Sequence, residues 1–356
     1  MALARPFLVL LLSLCIFFIS NNPRSVHRPK DPYMPSLTTF WTDDPHGPCY
    51  MLKNKCLREW AIFETYKPEE FKKYMIPENL SYRYEPEKSV ARETLSNLLE
   101  KFIDELLQIR KRKEDDFEHF NILKDRNYNY SLRSGLMIIK FNDYPFVVKI
   151  FLENPYSFTM PFCKGFEPCW FFLMAGGINR YLAGFTRIPN LHKVQEKIET
   201  DPYWSKHVTF PRKWYWLPQN NRQFTVIGNN LGRKTMQSQN FPSIYGIICD
   251  EIALDRQLHN YFKGDRKAIR GIMDFLGNHL DPHIYNFFLE KNTGKIAIID
   301  TELFSIMVGL FEEVEYTKNM IWYFKLANKC SKDCFFKTKK NHRDMQVSCA
   351  KPILME

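Results

Sequence analysis

The chain has 356 residues, 45% hydrophobic and 25% charged, a balance that excludes a disordered, collagen-like or coiled-coil protein. That length suits one large or two small domains with a sizeable core. Lys and Arg number 50 against 40 Asp and Glu, a formal charge of +10 that favours phosphates or anionic surfaces. Eight basic and three acidic residues fall between Lys325 and Glu356, so a basic tail accounts for half of the excess and nucleic-acid binding is not expected from it.

Residues 1–22 place Arg5 ahead of an apolar run from Phe7 to Ser20, shorter than the ~20 residues of a membrane span, which predicts a secretory signal peptide. Small residues are missing at the cleavage positions before Asn21 and Asn22, so an uncleaved N-terminal anchor stays open as the membrane attachment. Eight cysteines remain beyond Cys15, an even number compatible with disulfides in an exported, secreted or lumenal chain. A zinc site is the rival, although no C-x-x-C pair occurs, and a buried free thiol is the alternative for Cys249.

Residues 21–85 are rich in Pro, Tyr and charge, and residues 23–125 read as an irregular and helical extension. Leu95, Leu98, Leu99, Phe102, Ile103, Leu106 and Leu107 recur at three-four spacing, which predicts one helix over Ser89–Leu107. Residues 126–228 are β-rich. Leu136–Phe141 and Pro145–Phe151 form a hairpin on Asn142-Asp143, and further β runs lie at Lys213–Leu217 and Gln223–Ile227. Residues 162–200 are helical in part, interrupted at Gly176-Gly177. Residues 229–325 read as helical at Ile244–Leu258 and Arg266–Leu276, with a late hairpin, Phe287–Glu290 and Lys295–Ile299, turning on Asn292-Thr293-Gly294. Residues 326–356 are a basic, Cys-containing tail. Strands followed by helices predict an α+β chain with two lobes.

The segment with chemical content is His279-Leu-Asp281-Pro-His283-Ile-Tyr-Asn286, followed by the hairpin and Asp300. A carboxylate and a carboxamide five apart in a loop after a helix, with a second carboxylate beyond the hairpin, are what phosphoryl transfer requires. Asp281 is suited to accept or orient the proton of an attacking hydroxyl, and Asn286 and Asp300 are hard oxygen ligands for Mg²⁺. The alternation of His279, Asp281 and His283 leaves zinc ligation as a minor alternative.

This segment resembles the H-x-D-x-x-x-x-N catalytic loop of the protein kinase-like superfamily and the metal-binding Asp one hairpin later. The form with His283 two after Asp281 looks nearest to the aminoglycoside phosphotransferase-type branch. Lys149, in Phe146-Val-Val-Lys-Ile, resembles the strand lysine that contacts the α/β-phosphates. The runs Pro211–Pro218 and Phe224–Asn230 resemble the two strands leading into the adenine-binding hinge. The resemblance spans residues 130–310 and implies a two-lobed kinase-like fold with an N-terminal helical extension. It implies ATP and Mg²⁺ as cofactors, Lys149 on the nucleotide, Asp281 in catalysis, and Asn286 and Asp300 on the metal. The acceptor would be a hydroxyl on a small molecule or a protein.

Departures from the pattern support a second reading, a secreted pseudokinase acting as a binding or scaffold module. The loop Ser131–Gly135 carries one glycine, the metal motif reads Asp300-Thr-Glu302, and 56 residues follow Asp300. No carboxylate is singled out as the partner of Lys149 among Glu167, Glu196 and Glu199.

Overall fold

The computed structural model describes residues 36–40, 49–53, 65–110, 117–153, 177–228, 237–259, 261–276, 280–281 and 284–303. The chain is mixed α+β. Its strands are β1 (Ser36–Phe40), β2 (Cys49–Lys53), β3 (Asn79–Ser81), β4 (Ser89–Ala91), β5 (Phe120–Asn129), β6 (Ser134–Phe141), β7 (Phe146–Leu152), β8 (Val208–Thr209), β9 (Lys213–Trp216), β10 (Gln223–Gly228), β11 (Gln237–Pro242), β12 (Ile244–Asp250), β13 (Leu254–Gln257), β14 (Phe287–Glu290) and β15 (Ile296–Ile298). The helices are α1 (Pro68–Lys73), α2 (Arg92–Gln108), α3 (Gly177–Gly184), α4 (Arg187–Glu199), α5 (Trp204–His207) and α6 (Lys263–Leu276).

Five strands form an antiparallel sheet in the order β5-β6-β7-β12-β9. Side chains alternate between its faces. Phe146, Val148 and Ile150 of β7 and Ile248 of β12 point to the face that α2 covers with Leu95, Leu99, Phe102, Ile103 and Leu106. Phe151, Tyr215, Tyr245 and Ile247 point to the opposite face, where Tyr181, Leu182, Phe185 and Ile188 pack. A second core joins Leu191, Val194 and Ile198 of α4 to Ile269, Ile272, Met273 and Leu276 of α6, with Phe287 and Ile298 from a smaller sheet ordered β13-β14-β15-β8. Helix α4 therefore contributes to both cores, Ile188 to the first and its next three turns to the second.

Both expected hairpins form. β6 and β7 pair with Lys140 opposite Val147, and β14 and β15 pair with Phe287 opposite Ile298. Gly294 takes φ +67° in the second turn, a conformation other residues adopt at a cost. Gly135 adopts φ +122°, where a Cβ would stand 2.1 Å from the Asn127 carbonyl oxygen. Gly135, at the start of β6, is thus required by the hairpin's own backbone.

Two expectations are corrected. Ile244–Leu258 is not a helix but strands β12 and β13. β12 is buried on both faces, and such a continuous apolar run has the same hydrophobic pattern as a buried helix. The run from Phe224 does not join the large sheet: β10 pairs with β11 and β2 elsewhere, and β12 lies between β7 and β9. The sheet thus begins before residue 126 and takes a strand from beyond residue 228. The N-terminal segment, the tail, His279, His283 and the cysteines other than Cys49 and Cys249 lie outside the described residues. Cys249 is a buried free thiol.

Candidate functional site

Strand register brings three lysines to one face of the large sheet. Lys124 pairs with Ile138, Ile138 with Lys149, and Lys149 with Ile247, so Lys124 and Lys149 share a row across β5, β6, β7 and β12. Lys213 on β9 stands opposite Cys249 on the same face. Lys149 and Lys213 are buried and Lys124 is half-buried.

The segment after β15 crosses beneath these lysines and is held to the start of α4. The Lys149 ammonium lies 2.8 Å from one oxygen of Asp300, and Nε of Arg187 lies 2.8 Å from the other. A second Arg187 nitrogen donates to Glu302. Lys213 donates to the Thr301 hydroxyl at 2.7 Å, which donates in turn to the Arg187 carbonyl at 2.6 Å. Asn190 donates to the Thr301 carbonyl at 3.0 Å, and the Leu303 amide to the Thr186 hydroxyl at 3.0 Å. The Arg187 guanidinium also lies over the Phe151 ring, 5.3 Å from its centroid.

The loop with Asp281 and Asn286 approaches from the second core. Asn286 ends a 3₁₀ turn (Ile284–Asn286), and its carboxamide donates to the Asp281 carbonyl at 3.1 Å. The Ile299 amide donates to the Asn286 carbonyl at 3.0 Å, which brings Asn286 beside the residue before Asp300. Asp281 is half-buried and acts electrostatically on both Glu302 and Arg180.

Burial by itself would raise the Asp300 carboxyl, but Arg187, Lys149 and Lys213 outweigh it and hold the group well below the usual carboxylate range. Burial lowers Lys213 to about 8, and the nearby Lys149 acts in the same direction. Burial, with repulsion from Arg126, Arg180 and Lys149, lowers Lys124 to about 8 as well. Glu302 is raised by burial, with Asp300 and Asp281 adding to the shift and Arg187 opposing it.

All four candidate residues therefore fall within one region: Lys149 touches Asp300, and Asn286 touches the Asp281 backbone. The carboxylate paired with Lys149 is Asp300; Glu196 and Glu199 on α4 are exposed, and Glu167 lies outside the described residues. Sequence reasoning missed Arg187, Lys213, Thr301, Lys124 and Arg180. The signal for Arg187 was present, because it shares the apolar stripe of α4 with Leu191, Val194 and Ile198 at i+4, i+7 and i+11, where an arginine needs buried partners.

The set does not fit Mg²⁺ as it stands. Mg²⁺ needs oxygens in near-octahedral array at ~2.0–2.1 Å, and both Asp300 oxygens are engaged by Lys149 and Arg187. Among the described residues no group of three or more His, Cys, Asp and Glu side chains is arranged to hold a metal ion, and no helix is long and apolar enough to cross a membrane. A scan of the sequence against protein-family models and a search of curated proteins find no match.

Proposed function

We propose that this chain is an exported kinase-like protein that receives a nucleotide at the Lys149–Asp300 centre and acts as a binding module, a pseudokinase, without transferring phosphate. The kinase-like part of the reading is supported by the order of parts. A lysine on the third strand of an antiparallel sheet is followed by helices α3 to α5, by β9 and β12 of that sheet, helix α6, the Asp281–Asn286 loop, a hairpin and Asp300. In protein kinases a strand lysine, a catalytic-loop Asp and Asn, and a metal-binding Asp follow in that sequence.

The single observation that carries the absence of transfer is Arg187. In protein kinases the strand lysine pairs with a glutamate from the helix, which leaves the later Asp to hold Mg²⁺. Here the helix residue at the centre is cationic, and it takes an oxygen of Asp300 itself at 2.8 Å. Thermal unfolding of the chain with ATP, ADP and adenosine tests the nucleotide site. A ligand at 100 times its dissociation constant adds about 2.7 kcal/mol of stability, and Lys149→Ala is expected to reduce that gain. No shift with any nucleotide refutes the reading.

The 3.1 Å bond of Asn286 to the Asp281 carbonyl and the Ile299 amide bond to Asn286 favour a second reading, an ATP- and Mg²⁺-dependent phosphotransferase acting on a hydroxyl of a small molecule or protein. Release of phosphate from ATP, compared between the wild-type chain and Asp281→Ala, separates the two. Turnover that disappears in the variant supports the phosphotransferase, and equal background in both supports the binding module.

A further inference from the structure

Cations gather around the centre: Lys124, Lys149 and Lys213 from the sheet, Arg180 and Arg187 from α3 and α4, with Arg126 acting on Lys124. They act electrostatically on one another and on Asp300, Glu302 and Asp281. Arg187 and Lys149 share the Asp300 carboxylate, and Arg187 also binds Glu302. Charged groups in so buried a region need close partners of opposite sign. One nitrogen of Arg187, Nη1, is buried with no hydrogen-bond partner, although the residue is 1% exposed. Guanidinium groups with an open edge suit phosphate oxygens, which they bind in paired contacts.

We propose that this centre binds the phosphates of a nucleoside di- or triphosphate directly on its lysines and arginines, without a divalent metal. The inference rests on the reading of the centre as a nucleotide site and adds the chemistry of the ligand's contacts. Arg187 supplies the positive charge that a metal would otherwise bring, and it does so from within the fold. The same cations would accept the phosphates of a nucleotide or inorganic pyrophosphate, so the two sources must be separated by experiment.

The test is calorimetric titration of the full chain with ATP, ADP, pyrophosphate and adenosine, each in EDTA and in excess Mg²⁺. ATP and ADP are expected to bind in EDTA at least as tightly as in Mg²⁺, because Mg²⁺ masks ligand charge, and adenosine at least tenfold more weakly. Lys124→Gln is expected to weaken ATP binding about fivefold in EDTA; Lys124 is half-buried and outside the Asp300 pairs, so this variant should fold. Arg187→Gln is expected to weaken it further, with circular dichroism to check that it folds. Binding of ATP that requires Mg²⁺ overturns the inference and leaves the nucleotide reading in place. Pyrophosphate that binds in EDTA and is weakened by Lys124→Gln, with ATP silent, upholds the anion site and removes the nucleotide. Silence of all four ligands overturns both.

Discussion

Replacing Asp300 by Asn separates a metal ligand from an internal counterion. The Asp300 side chain is 15% exposed and accepts from Lys149 and from Arg187 Nε, each at 2.8 Å, and from Arg187 Nη2 at 3.4 Å. Removing one partner of a buried ion pair costs about 3–5 kcal/mol, because the other charges stay buried and unbalanced. Asn keeps the shape and one acceptor oxygen, so the lower end, about 3 kcal/mol, is expected in urea unfolding. At roughly 2 °C per kcal/mol for a chain of this size, the midpoint should fall by about 6 °C. Affinity for ATP in EDTA should move the other way. On the proposed anion site Asp300 would compete with ligand phosphates for Lys149 and Arg187, and without that competitor binding should tighten about tenfold, equivalent to about 1.4 kcal/mol. A metal-ligand role predicts the reverse pattern, with little stability lost and nucleotide affinity abolished. That pattern, or a stability change below about 1 kcal/mol, refutes the counterion argument.

Other perturbations follow from the packing around the centre. Glu290 is buried and accepts from Arg83 Nε at 3.0 Å, from the Tyr84 hydroxyl at 2.6 Å and from Thr293, so Glu290→Ala should cost about 2–4 kcal/mol in urea unfolding at pH 7. Burial alone would raise this carboxyl, but the Thr293 and Tyr84 hydrogen bonds and Arg83 hold it below its usual value. Its contribution is therefore complete above the unfolded value near ~4.3 and fades as pH falls through the folded one, so the gap between wild type and variant should narrow below about pH 4. A Cβ at Gly184 would stand 1.9 Å from the Tyr245 hydroxyl oxygen and 2.9 Å from Phe151, so Gly184→Ala should destabilise by about 2–3 kcal/mol by denaturant titration. The Cys249 thiol is buried and raised by that burial against the pull of Lys213 and Lys149, so peptide mapping should find it alkylated only after denaturant is added.

Local chemistry made part of this legible. The helix carrying Leu95, Leu99, Phe102 and Leu106 and the turn at Gly294 follow from spacing and φ, which act within a few residues. The pairing of β7 with β12 does not, because it joins segments nearly a hundred residues apart and β12 presents apolar side chains to both faces. Lys149, Asp281, Asn286 and Asp300 were recognisable as residue types at informative intervals. The residues that decide the sign of the centre were not. Lys124 and Lys213 become neighbours of Lys149 through strand register alone.

Arg187 shows why register and helix placement carry the functional weight. α4 must bury Ile188 against the large sheet and Leu191, Val194 and Ile198 against α6, and these two packing demands determine which way its first turn faces. Arg187 is consequently driven to the junction of the two cores, where an unpaired guanidinium would cost several kcal/mol. Asp300 and Glu302 meet that demand because Thr301 and Leu303, bonded to the Arg187 carbonyl and to Thr186, hold the segment against the helix. A glutamate at the same place would pair with Lys149 and leave Asp300 open to a cation; an arginine commits Asp300 to the protein. On the proposed reading, the charge of this one side chain sets whether the centre takes a metal or an anion.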